Sequence, residues 1–176
     1  TSDRLIFLGD YVDGWYDSVQ LIDYLIKIQS ESQNRHIFLK GNHEVLFSEV
    51  LEEDINNFRN LNYIKAKYAL WIKNGGLTTY ESYIGVSEKT RERHKLNFFS
   101  TLRDFYIEDQ TLFVHAGFDY KIGFEKTFEN NLNLLFNDRS LFELSYANWK
   151  SQEKSRIEHV TKFEKIFIGH TPTTIF

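Results

Sequence analysis

Four short polar motifs in this chain combine residue types that bind metal ions and move protons. They are Gly9-Asp10-Tyr11-Val12-Asp13, Gly41-Asn42-His43-Glu44, His115-Ala116-Gly117 and Gly169-His170-Thr171. Asp10 offers carboxylate oxygens, which suit hard and borderline cations and can bridge two of them. Asn42 offers an amide oxygen, a weak ligand that serves where other ligands already hold the ion. His115 and His170 offer imidazole nitrogens, suited to zinc-, iron- or manganese-type sites. His43, next to Asn42, points elsewhere and can act as a general acid. Taken singly, each motif also has a plain reading. Asp10 to Asp13 could cap the following helix, Asn42 could cap another, and each histidine could simply be hydrogen-bonded at a strand end. The combination is much more specific than any of its parts.

Elements must bring these residues together. Each motif follows an apolar run: Leu5–Leu8, Ile37–Leu39, Leu112–Val114 and Ile166–Ile168. Short unbroken apolar runs read as strands covered on both faces. In an α/β sheet, loops at the carboxyl ends of strands converge on one crevice. Between the first two runs, Asp17 or Ser18 can cap a helix carrying Val19, Ile22, Leu25, Ile26 and Ile28. That makes a β-α-β unit with parallel strands. From Glu44 to Arg103 the pattern is helical, with Asn74-Gly75-Gly76 as a helix end and Leu96, Phe99 and Leu102 on one helix face. Phe105–Ile107 and Thr111–His115 predict strands around a tight polar turn, and Phe124–Glu158 reads as mainly helical. The expectation is one α/β domain over residues 1–176, with mixed sheets and a helical insertion at about 44–103.

The bulk numbers narrow the function classes. With 176 residues there is enough chain for a real core, and 16 Phe and 10 Tyr predict that it is built on rings. A net charge of −4 provides no basic field for nucleic acid. No apolar run approaches a membrane span. The absence of cysteine excludes disulfides, Cys–zinc sites and a thiol nucleophile, and makes the cytoplasm the default location. His36, His94 and His159 lie in polar surroundings and read as surface residues.

Together the four motifs resemble the calcineurin-like metallophosphoesterases, closest to the Ser/Thr phosphoprotein phosphatase branch and its bacterial and phage members. The resemblance runs from Asp3 to Thr173 in both order and spacing. It implies an α/β/β/α sandwich and two divalent metal ions (Mn, Fe, Zn or Ni). Asp10 would bridge the metals, and Asn42, His115 and His170 would ligate the second. A metal-bridging hydroxide would attack phosphorus, His43 would protonate the leaving oxygen, and Asp13 would orient His43. The implied partner is a phosphorylated protein or a small phosphoester.

The chain departs from the family pattern in three places. The family's Asp-x-His-Gly motif, with its strand, should precede Leu5, and one more histidine ligand should follow Thr171. Neither is present between Thr1 and Phe176, and methionine is absent, so a fragment is expected. Gly14 stands where phosphoprotein phosphatases carry a phosphate-binding arginine. Arg139 is the candidate replacement, with a plain surface arginine as the other reading. Two alternatives remain open. One is a symmetrical dinucleoside tetraphosphate hydrolase using Tyr63, Tyr68, Trp71, Tyr80 and Tyr83 to stack a base. The other is a non-catalytic binding module that keeps the fold.

Overall fold

Within the apolar runs Leu5–Leu8 and Ile37–Leu39 only Ile6–Phe7 and Ile37–Phe38 are strand, the first half-buried rather than covered on both faces, and the two pair in parallel as the β-α-β reading requires. The computed structural model describes residues 3–33, 35–151 and 161–172. Strand β1 (Ile6–Phe7) lies beside β2 (Ile37–Phe38), with helix α1 (Ser18–Glu31) as the crossover. The Phe7 and Phe38 rings stack across this register at 4.6 Å. Asp17 occupies the N-cap position of α1 without a side-chain bond. Ser18 instead turns its hydroxyl back to the Trp15 carbonyl.

The described residues divide into two compact units, the first lying within 1–38 and 42–102, the second within 39–41 and 103–176. The first is completed by α2 (Asn42–Leu51), α3 (Ile55–Arg59), α4 (Leu61–Lys67), α5 (Ala69–Trp71), α6 (Leu77–Tyr83) and α7 (Glu88–Asn97). Between α5 and α6 the helical path kinks at Asn74 and Gly75, where Gly75 takes φ +96°. This is the helix end expected from Asn-Gly-Gly, but α6 starts at once instead of a loop. Ser87 caps α7 by accepting from the Thr90 N–H. The helix stops at Phe98, short of Arg103.

Rings fill the core of this unit. Phe47, Phe58, Trp71, Tyr80, Tyr83 and Phe98 are buried, and Phe47 packs on Trp71, Tyr83 and Phe99. Such pairs add about 0.5–1.5 kcal/mol each beyond area burial. Three of the five rings considered for base stacking, Trp71, Tyr80 and Tyr83, are thus structural. On α7 the expected polarity is reversed at two positions. Leu96 is 55% exposed, whereas His94 is fully buried. Tyr83 Oη meets His94 Nδ1 at 2.7 Å, and His94 Nε2 meets Asp23 Oδ1 at 2.7 Å. His94 is therefore a satisfied core histidine rather than a surface one. His36 is half-buried and accepts the Leu5 N–H on Nδ1, and His159 lies outside the described residues.

In the second unit β3 (Phe105–Glu108) and β4 (Thr111–Val114) form the predicted hairpin, and β5 (Lys165–Phe167) runs parallel to β4. Asp109 takes φ 52° in the turn. Phe113 stacks on Phe167 at 4.9 Å. Helices α8 (Phe124–Asn130), α9 (Leu134–Asn137) and α10 (Ser140–Ser151) follow β4. Phe118, Leu135, Phe136 and Leu141 are buried with Leu112 and Val114. The architecture is mixed α/β, with a helical segment between β2 and β3.

Candidate active site

Strand β1 opens into a loop whose backbone is unusual. Gly9, Asp10, Asp13 and Gly14 take φ of 101°, 62°, 70° and 75°. Positive φ at two aspartates is locally strained and persists only where surroundings hold it. Here the holding group is Glu44, fully buried in the first turn of α2. Its Oε2 accepts the Asp10 N–H at 2.7 Å, and its Oε1 accepts those of Tyr11 at 2.7 Å and Val12 at 3.2 Å. Thr79 Oγ1 accepts the Asp13 N–H at 2.8 Å, and the Gly75 carbonyl accepts that of Gly14 at 3.3 Å. Every backbone N–H from Asp10 to Gly14 thus has a protein partner.

This loop presents Asp13 to His43. Asp13 Oδ2 lies 2.8 Å from His43 Nδ1, with the Asp13 side chain fully buried and that of His43 22% exposed. A carboxylate is acceptor-only, so His43 Nδ1 carries the hydrogen and Nε2 is the nitrogen left for proton transfer. The Asp13 bond raises the His43 pKa above its usual value; burial opposes this, and the charges of Asp10, Asp13 and Glu44 reinforce it. Trp71 also serves Asp13: its indole Nε1–H is 3.0 Å from both carboxylate oxygens. Because β1 and β2 are parallel, Asp10 and Asn42 both follow the carboxyl ends of their strands, and Asn42 begins α2 beside His43. Gly14 at φ +75° has open space where a Cβ would be, and Trp15 and Tyr16 beyond it are exposed.

The second unit holds the other predicted ligands. His115 directly follows β4 and is buried; His170 follows β5 at φ 58°. The Gly169 N–H donates to the His115 carbonyl at 2.8 Å, tying the two strand ends together. Gly117 admits the α9–α10 turn, since a Cβ there would meet the Asp138 carbonyl at 3.1 Å. His115 Nε2 and His170 Nδ1 are 3.1 Å apart. With nitrogen–metal bonds of about 2.0–2.1 Å, that spacing of 3.1 Å corresponds to an N–metal–N angle of about 100°. The value lies between octahedral and tetrahedral geometry, so the pair fits one shared divalent ion. Arg139 is exposed in the turn before α10; its neighbour Asp138 is engaged by the Ser140 N–H at 2.9 Å.

The structure therefore brings together Asp13 with His43 in the first unit and His115 with His170 in the second. Sequence reading missed Glu44, Trp71 and Thr79. Glu44 sat inside a motif already singled out, and an acidic residue in the first turn of a helix was its only local signal. Trp71 and Thr79 offered none, because their partner Asp13 is distant in sequence.

No curated protein matches the chain. The family model for calcineurin-like phosphoesterases matches residues 2–174, which is nearly its whole length, and spans all four motifs. The mixed α/β elements, the Asp13–His43 pair and the paired histidines agree with that match, and the chain belongs to the calcineurin-like phosphoesterases, a family of hydrolases that act on phosphate esters with divalent metal ions.

Proposed function

We propose that this chain is a phosphomonoesterase of the Ser/Thr phosphoprotein phosphatase kind, acting on phosphorylated proteins or small phosphoesters in the cytoplasm. It would work as one domain over residues 1–176, with the segment at about 44–103 as a helical insertion. The observation that carries the reading is the 2.8 Å bond between Asp13 and His43 Nδ1, which leaves Nε2 as an oriented proton donor. A binding module has little use for a general acid whose partner is fully buried.

Asp10, Asn42, His115 and His170 would hold the metal ions. When bound, divalent ions supply an activated water and offset the charge that develops on the phosphoryl group. Asp13 fixes the ring of His43 through Nδ1. His43 then gives its Nε2 proton to the ester oxygen as the P–O bond breaks, so that the alcohol leaves neutral. Water contributes the new oxygen on phosphorus, and inorganic phosphate is the second product. Arg139 is proposed to bind substrate phosphate in place of the arginine that Gly14 lacks.

Burial of Trp71, Tyr80 and Tyr83 favours monoesters over dinucleoside polyphosphates, because those rings are committed to the core. The location rests on the absence of cysteine; among the described residues no helix is long and apolar enough to cross a membrane. A panel of phosphoserine and phosphothreonine peptides against diadenosine tetraphosphate, with Mn²⁺ supplied, tests the assignment. Phosphate release from the peptides is expected, and hydrolysis of the nucleotide alone would refute it.

A further inference from the structure

Asp13 is held from a direction that the four motifs do not include. The indole N–H of Trp71 is shared between its two carboxylate oxygens, both at 3.0 Å. One stretch of the helical segment builds this contact. Phe47 stacks on the indole at 5.5 Å and 22°. Gly76 also lies against it, where a Cβ would fall 2.3 Å from Trp71 Cε2 and 2.6 Å from Nε1. Only glycine lets the indole lie there. Gly75 meets the loop next to Asp13, since its carbonyl accepts the Gly14 N–H. Thr79 takes the Asp13 N–H. Trp71, Gly75, Gly76 and Thr79 therefore form one socket around Asp13.

The geometry points to Trp71 as a positioning residue for the acid pair: its N–H fixes the Asp13 carboxylate so that Oδ2 meets His43 Nδ1 at 2.8 Å. The inference rests on the reading of His43 as general acid. A carboxylate has two equivalent oxygens and rotates about one bond. A donor centred between them removes that freedom and leaves the outer lone pairs, of which the one on Oδ2 takes the ring. The helical segment then helps to set the chemistry as well as surrounding the site.

The test separates the acid step from the rest of turnover by choice of leaving group. In the metal-loaded chain, Trp71→Phe keeps a ring against Phe47 and removes the N–H. Hydrolysis of a phosphoserine peptide, whose alkoxide must be protonated, should fall by about tenfold or more, the size of one hydrogen bond to a charged group. Hydrolysis of 4-nitrophenyl phosphate, whose leaving group departs as a stable anion, should stay within about twofold. Equal losses on both substrates, or none, would overturn the inference. So would the same split in Phe47→Leu, which loosens the packing but keeps the N–H. His43→Ala, run beside them, must show the split itself; if it does not, the general-acid reading fails first.

A second readout needs neither metal nor turnover. The chain has three tryptophans, and Trp15 and Trp149 are 77% and 76% exposed. In a proton–nitrogen spectrum one indole resonance should stand downfield of the other two and move toward them in Asp13→Ala. Three similar resonances, or a Trp71 resonance indifferent to Asp13→Ala, would show that the contact does not exist in solution.

Discussion

Replacing Glu44 with Gln should unfasten the loop that carries Asp10 and Asp13. The carboxylate is fully buried and accepts three backbone N–H groups, two on Oε1 and one on Oε2. Gln keeps the shape, loses the charge and turns one acceptor into a donor. The least damaging orientation keeps the amide oxygen on Tyr11 and Val12 and sets the NH₂ against the Asp10 N–H. The Asp10 N–H and the facing NH₂ are then both unmatched donors, at about 1 kcal/mol or more each, and the two surviving bonds lose their charge assistance. The sum is about 2–4 kcal/mol, a large share of the typical 5–15 kcal/mol that holds a domain folded. The consequence is local as well as global. Asp10 and Asp13 sit at φ 62° and 70°, conformations that cost about 1–3 kcal/mol each and relax once the tether weakens. Urea unfolding followed by tryptophan fluorescence should show the midpoint fall by about 1–2 M at an unchanged slope. Metal content and phosphate release, measured on the same preparation below that midpoint, should fall as well. A wild-type midpoint would refute the energetic argument. A lowered midpoint with full metal content and full turnover would refute the claim that Glu44 sets the loop geometry.

Two other predictions concern histidines. Burial holds the pKa of His94 below its usual value, outweighing the Asp23 hydrogen bond that raises it. Its folded pKa thus lies below the unfolded value of about 6.5, so its contribution to stability is complete above about pH 6.5 and is lost as pH falls through the folded pKa. Urea midpoints should therefore fall between pH 7 and pH 5.5, and His94→Gln should flatten that slope; an unchanged slope in the variant would exclude His94 as its source. His170→Ala should lower the bound metal per chain measured by elemental analysis, because it removes one of two nitrogens set 3.1 Å apart, and an unchanged stoichiometry would refute its role as a ligand.

The legible part of this protein was what short-range pattern encodes. The runs before Asp10, Asn42, His115 and His170 each contain a strand, though β1 and β5 are not buried on both faces, β1 and β2 are parallel, and Asp13 does bond His43. What escaped was polar burial with distant partners. Glu-Lys-Thr-Arg-Glu-Arg-His-Lys reads as a solvated helix face, yet Arg91 and His94 are buried within it. Arg91 reaches the carbonyls of Leu51 and Glu53, and His94 reaches Asp23, so the cost of their burial is offset by groups that no local window contains. Trp71 shows the converse. Its spacing was that of a core ring, and it is one, but a core indole must place its N–H, and the group that accepts it is the Asp13 carboxylate that also meets His43.

The most direct test of the account measures metal content and phosphate release together in the wild-type chain and in His43→Ala. If His43 is the proton donor fixed by Asp13 and not a metal ligand, metal content stays at the wild-type level while release from a phosphoserine peptide falls by about 10²–10⁴-fold. Loss of metal alongside activity, or activity that survives the substitution, would contradict it.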